Sequence, residues 1–269
     1  VANLTHFYKS DTSNTRTRTG TTETEETNYT VTWSNLTTAG FANGDDVFIL
    51  VVCGTWCSSN NGNVSFRVRQ GSTFAGSSAL AGGYDRNESP YTDWTNHQVV
   101  FIDRITLSTN DNIYFATATS TGTASFLGFK FLALKLGDLT SNDFAYSEQT
   151  HSGDAPASYD TSGASISIPS AGDWLIFAAT HWLMDNTSDD ITMAINDGSS
   201  DISEVSAEGE DTADEYTQGT IAYKASLGSG TTVRTRYHRA GATNAHDCDR
   251  TAIFGLRLNA FEDHWGAHT

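Results

Sequence analysis

The stretch GDDVFILVVCGTW, beginning at Gly44, returns as GDWLIFAATHW, beginning at Gly172. Each opens on Gly-Asp, runs through an apolar block and ends on a Trp followed by polar residues. A short apolar run bounded by turn residues and rich in β-branched and aromatic side chains predicts a buried strand. A strand that recurs half a chain later constrains the fold more than any bulk property does.

The echo extends well beyond these strands. A polar turn follows each Trp, CSSNNGN or LMDNTSDD, and then an alternating strand, VSFRVRQGS or ITMAINDGS. HQVVFIDRITLSTNDNIYFATAT is answered by TQGTIAYKASLGSGTTVRTRYHR, and SFLGFKFLAL by AIFGLRLNAF. Leu107 is expected to correspond to Leu227, Ile113 to Val233 and Gly128 to Gly255. The spacing runs from 120 (Leu107 to Leu227) to 128 (Gly44 to Gly172), the drift falling in loops. A period this long indicates duplication of a whole domain rather than a solenoid. Short alternating strands between turn signals indicate an antiparallel sandwich, and no amphipathic helix is expected. The predicted fold is therefore all-β: two tandem jelly-roll sandwiches, residues 1–137 and 138–269, from an internal duplication.

The formal net charge of −17 argues strongly against nucleic acid and anionic membrane as partners, because phosphate binding requires Lys and Arg. No apolar run approaches the roughly 18 residues of a membrane-spanning helix. The opening VANLTHFYKSD lacks the pattern of a signal peptide and lacks Met, so a processed N-terminus fits as well as simple Met removal. Cys53, Cys57 and Cys248 do not make a disulfide framework, since Cys53 and Cys57 lie too far apart in one extended strand to bridge. Free, half-buried thiols are expected.

TRTRTGTTETEET, residues 15–27, alternates with period two. A turn at Gly20-Thr21 would make a hairpin over residues 10–27, with Arg18 facing Glu23 and Arg16 facing Glu25. This leader and the tail at 259–269, which carries Trp265, are expected to pack against neighbouring subunits. The basic cluster RTRYHR puts Arg234 and Arg236 on one strand face, where they pair within the fold or meet acid-rich loops of an adjacent copy.

The Gly-Asp strand openings, the NIYF and TVRTRY strands and the closing FLGFKFLAL and IFGLRL resemble the jelly rolls of the tumour-necrosis-factor-like and complement globular-head families. Those domains end on an aromatic–Gly–apolar strand at the centre of a trimer interface. The resemblance implies a homotrimer and gives that role to Phe129 and Phe131. Acidic jelly rolls rich in Thr, Ser and Asn also look like bacteriophage virion proteins. That likeness implies a capsid decoration or fibre-type subunit, in a virion or outside the cell, whose partners are copies of itself and other virion proteins.

No nucleophile elbow, zinc-protease helix, phosphate loop or dinucleotide fingerprint is present, and paired carboxylates such as Asp45/Asp46 stand in no catalytic frame. An enzyme is not expected, nor an obligatory cofactor. His246, Asp247, Cys248 and Asp249 point to alternate faces of a strand and lack zinc spacing. The loop DNTSDD offers Asp185, Asp189 and Asp190 to a structural calcium ion, without EF-hand spacing. Tyr84, Tyr91 and Trp94 form a loop cluster that could stack on a sugar, the basis of an alternative reading as a carbohydrate-binding module or adhesin. An extracellular filament or surface-layer subunit is the third reading.

Overall fold

A computed structural model of the chain describes residues 4–58, 62–80, 85–89, 97–151, 163–184, 190–208, 215–240 and 246–258. The chain divides into two compact units, Thr5–Lys135 and a second that begins at Leu136.

The first unit contains β1 (His6–Asp11), β2 (Arg16–Arg18), β3 (Thr24–Glu25), α1 (Trp33–Thr38), β4 (Asp46–Cys57), β5 (Gly62–Gly71), β6 (Ser78–Ala79), β7 (Asp85–Ser89), β8 (His97–Thr106), β9 (Asn112–Thr119) and β10 (Ala124–Lys135). One antiparallel sheet runs β1-β10-β4-β8, with β2 also on β10; the other runs β3-β9-β5-β6, with β7 also on β5. First and last strands lie side by side, and the chain passes repeatedly between the sheets, which is the wrapping of a jelly roll. The sheets face each other across one apolar interior. Val47, Ile49 and Val51 of β4 and Phe126, Phe129 and Phe131 of β10 meet Val64, Phe66 and Val68 of β5 and Phe115 of β9.

The second unit contains β11 (Phe144–Thr150), β12 (Ser165–Ser167), β13 (Gly172–Met184), β14 (Asp190–Asn196), β15 (Asp201–Glu208), β16 (Glu215–Leu227), β17 (Thr232–Ala240) and β18 (His246–Arg257). Its sheets run β11-β18-β13-β16 and β12-β17-β14-β15. Apart from β2 and β7, which have no counterpart here among the described residues, this is the order of the first unit. Its own interior gathers Trp174, Ile176 and Trp182 of β13 against Ile191, Met193 and Ile195 of β14 and Val233 of β17. The architecture is thus all-β and built of antiparallel sandwiches.

The Gly-Asp openings have a local cause. Gly44 (φ 86°) and Gly172 (φ 150°) both take backbone angles that L side chains rarely adopt. The aspartate that follows is then held by a cation: Lys135 reaches Asp45 at 2.9 Å and Lys224 reaches Asp173 at 3.0 Å. Leu107 bonds the Gly44-Asp45 turn through its backbone, and Leu227 pairs with Gly172 in the ladder. Ile113 lies across from Val31, and Val233 across from Ile166.

Gly128 and Gly255, however, do not occupy like places. Gly128 (φ 72°) lies in a bulge of β10, between the pairs of Leu127 and Lys130. Gly255 lies in regular ladder opposite Ile176, the place that Ala133 takes opposite Ile49. A Cβ at Gly255 would come within 2.9 Å of Ile166 Cδ1, so its role is to admit a core side chain rather than to bend the strand.

The short helix α1 is a further difference from the expectation of strands alone. Thr32 caps it, with its hydroxyl accepting from the Asn35 amide while the Asn35 side chain accepts from the Thr32 amide. This reciprocal box, closed by Leu36 in the core, forms a short helix without an amphipathic run.

Gly219 on β16 shows how tight the second interior is. A Cβ there would stand 2.6 Å from Cη2 of Trp182 and 3.1 Å from Cγ2 of Thr180. A buried indole cannot swing aside as a flexible side-chain end can. Gly219→Ala is therefore expected to destabilise the second unit by about 1–3 kcal/mol, read as a lower midpoint in urea.

Candidate assembly surfaces

The Thr-rich leader is ordered by its own unit, and not as a hairpin. Arg16–Arg18 pairs with Ala124–Phe126 of β10, whereas Thr24-Glu25 pairs with Ala116-Thr117 of β9. Each segment extends a different sheet, so the chain between them crosses from one sheet to the other. Period-two alternation specifies a strand but not its partner, and β10 and β9 each offered an open edge.

Arg16 consequently pairs with Asp11 at 2.8 Å rather than with Glu25. Hydrogen bonds from Arg16 and Asn14 hold the Asp11 carboxyl below its usual range. Arg18 bonds Glu26 at 2.8 Å, Thr117 Oγ1 at 3.2 Å and the Glu25 carbonyl at 3.1 Å. Glu23 lies between Arg67 (2.6 Å) and Arg69 (3.2 Å) of β5. Glu25 accepts from the Thr30 hydroxyl at 2.7 Å. These four candidates are thus engaged inside one sandwich, and Arg18, through Thr117 and the Glu25 carbonyl, ties its two sheets together.

The Arg18–Glu26 pair is the most consequential of these contacts. Glu26 is only 3% exposed and also accepts from the buried Thr117 hydroxyl at 2.6 Å. Removing Arg18 would leave a shielded carboxylate without its cation. Arg18→Ala should lower stability by about 2 kcal/mol, and Glu26→Gln in the same chain should restore part of the loss. Thermal unfolding of the single and double variants checks this; equal losses in both would refute it.

Phe129 and Phe131 require a correction. Both are 0% exposed and belong to the first interior. Phe129 stacks on Tyr29 with ring centroids 4.2 Å apart and meets Phe115 edge-on at 4.8 Å. Burial raises the Tyr29 hydroxyl pKa well above its usual value. Neither phenylalanine is available to another subunit while the sandwich is folded. The side chains of β10 that alternate with them are Lys130, exposed, and Leu132, half-buried.

On the second unit, Arg234, Arg236 and His238 alternate along β17 with the buried Val233, Thr235 and Tyr237. Arg236 reaches Asp201 of β15 at 3.1 Å. Arg234 lies in register between Ser165 of β12 and Asn196 of β14. The sequence alone did not single out Tyr8 and Tyr223, the large apolar residues left exposed among those described, at 56% and 37%. Both lie on edge strands, β1 and β16. An alternating strand that includes an outward tyrosine was the one signal available.

Several candidates lie outside the described residues: Trp265, the loop aromatics Tyr84, Tyr91 and Trp94, and the calcium-loop residues Asp185 and Asp189. Asp190 begins β14, but its side chain is likewise undescribed. The related turn at Asn196–Asp201 is described, and it is closed by its own hydrogen bonds. Asp197 accepts from the backbone of Ser199 and Ser200, which lowers its pKa, and Asn196 accepts from Gly198 and donates to Asp201. Among the described residues, no three His, Cys, Asp or Glu side chains gather as metal ligands.

Cys53 and Cys248 are buried thiols, neither of them in a disulfide. Burial drives the Cys53 thiol pKa far above the ordinary thiol value, so it is not poised as a nucleophile. His181 is buried on β13 opposite Arg250.

No protein-family model matches the chain, and no curated protein sequence does. Solved structures to which the chain shows similarity include Eiger TNF from S. frugiperda, at 9% identity, covering 43% of this chain and 93% of that one, with a TM-score of 0.34. They also include the STIV MCP, at 12% identity over 97% and 99% of the two chains, with a TM-score of 0.26. A structure of infectious bursal disease virus, Gx strain, matches at 10% identity over 97% and 75%, with a TM-score of 0.33. Strand order and register, rather than these distant likenesses, define the fold of this chain.

Proposed function

We propose that this chain is a structural building block of a virion, two copies of one jelly-roll domain (1–137 and 138–269) that arose by duplication and that associate with further copies of the chain. The supporting observation is that one strand order occurs twice in tandem, each time around a separate interior. A duplicated, fully packed sandwich presents large rigid faces, which suits repeated protein–protein contact better than chemistry on a small molecule. A bacteriophage decoration or fibre-type subunit, closing as a trimer, is the specific form of this reading.

Sedimentation of the purified chain over a wide concentration range tests the association. A closed oligomer is expected, and a monomer at every concentration would overturn the reading. Antibody against the chain should label density-purified virus particles at regular sites in electron micrographs. Label confined to cell surfaces would instead assign it to a surface layer or filament.

A further inference from the structure

The cations of this acidic chain are mostly taken. Fifteen Lys and Arg residues stand against thirty-two Asp and Glu. Ion pairs hold arginine after arginine on a carboxylate of its own unit, from Arg16 on Asp11 to Arg257 on Asp143. Arg234 departs from this pattern. Among the described residues its side chain makes no hydrogen bond and no ion pair; its Nε is shielded from solvent without a partner, as are those of Arg236 and Arg257, but no carboxylate meets the rest of its fork. An arginine carries several donors in a planar fork and is strongly favoured where a carboxylate can be gripped by two of them.

Its surroundings are built of polar groups. Arg234 occupies the outer face of the sheet that contains β12, β17 and β14. Ser165 is its register partner on one side and Asn196 on the other. Ser165 and Ser167 are exposed, whereas Ile166 between them is buried. Two residues further along β17, Arg236 is already engaged by Asp201. The site therefore combines one free guanidinium, two exposed hydroxyls and no carboxylate bonded to the cation.

The fold itself does not require the charge. In the first unit the like position, one residue after Ile113, is Tyr114. Its ring packs edge-on against Phe74, and its hydroxyl donates to the Ser72 carbonyl at 3.2 Å. The same strand order is satisfied there by a buried aromatic, so an unpartnered arginine in the second unit answers to something outside that sandwich.

We infer that Arg234, flanked by Ser165 and Ser167, is the docking point for a carboxylate presented by a second copy of this chain. This rests on the self-association proposed above and names the residue through which it runs. Charge favours that occupant. Carboxylates outnumber cations about two to one, and residues 136–223 contain no Lys or Arg at all, so every copy offers acids that its own cations cannot neutralise.

Sedimentation equilibrium of wild type, Arg234→Gln and Arg234→Glu tests the idea. The expected result is a dissociation constant raised about tenfold or more by Arg234→Gln and further by Arg234→Glu, with a weaker salt dependence than in wild type. Arg234→Lys keeps the charge and supplies an amine. In a mixture of isotopically heavy and light copies, carbodiimide should join that amine to an Asp or Glu of the other isotope. Wild-type association that is unchanged in Arg234→Gln, with no mixed-isotope product, would overturn the docking point and leave self-association standing. A wild type that stays monomeric overturns both, and acetate bound by that monomer through Arg234 would assign the site to a small acid instead.

Discussion

Phe129→Ala should lower the stability of the first unit by about 3–5 kcal/mol, the range for removing a fully buried aromatic ring. The ring stacks on Tyr29 and meets Phe115 edge-on, so its loss opens a cavity between the two sheets and removes two aromatic contacts at once. Lys130→Ala, one residue along and exposed, should change stability by less than about 0.5 kcal/mol. Urea unfolding followed by tryptophan fluorescence measures both. If Phe129→Ala kept wild-type stability and lost only the ability to associate, the ring would belong to an outer surface and the core assignment would be wrong.

Phe129 also illustrates what a sequence can disclose about such a fold. In FLGFKFLAL both faces of the strand carry apolar residues, so alternation predicts a strand without saying which face turns inward. Phe126 and Phe129 are three residues apart and would point to opposite sides of a regular strand. The bulge at Gly128 resets the alternation, and both enter the interior. The resemblance to trimeric jelly rolls then pointed to the wrong face. The strands themselves and the Gly-Asp turns were legible because turn chemistry and period-two burial are local. The strand partners of the leader were not, because Arg16–Arg18 pairs with β10 and Thr24-Glu25 with β9, each about a hundred positions away. Arg234 was visible as a basic residue on a strand face. Its lack of a partner becomes apparent only once Asp201 is seen to lie beside Arg236 instead.

Acid should weaken the second unit through His181 before its carboxylates begin to titrate. Burial, and then the charge of Arg250, depress the imidazole pKa from the usual 6.5 to about 3. In the unfolded chain the ring takes up a proton as pH falls through 6.5; in the folded chain it stays neutral down to about 3. Between those values the unfolded state binds more protons, so stability is complete above 6.5 and declines as the solution is acidified. The loss reaches the order of 4 kcal/mol at the bottom of the window. Glu148 then adds a loss of the same sign. Burial alone would raise its pKa, but hydrogen bonds from Arg250 at 2.6 Å and Tyr146 at 2.9 Å outweigh it, and the net value lies below the ordinary one. Its contribution is present above the usual glutamate pKa and disappears as the folded carboxylate is protonated. His181→Gln, which cannot titrate, should flatten the stability curve between about pH 6.5 and 4 while leaving the steeper fall below it. The ring resonances of the folded wild type should show no titration near 6.5. A full imidazole titration there would mean that His181 is solvated, and the predicted acid sensitivity would have to come from carboxylates alone.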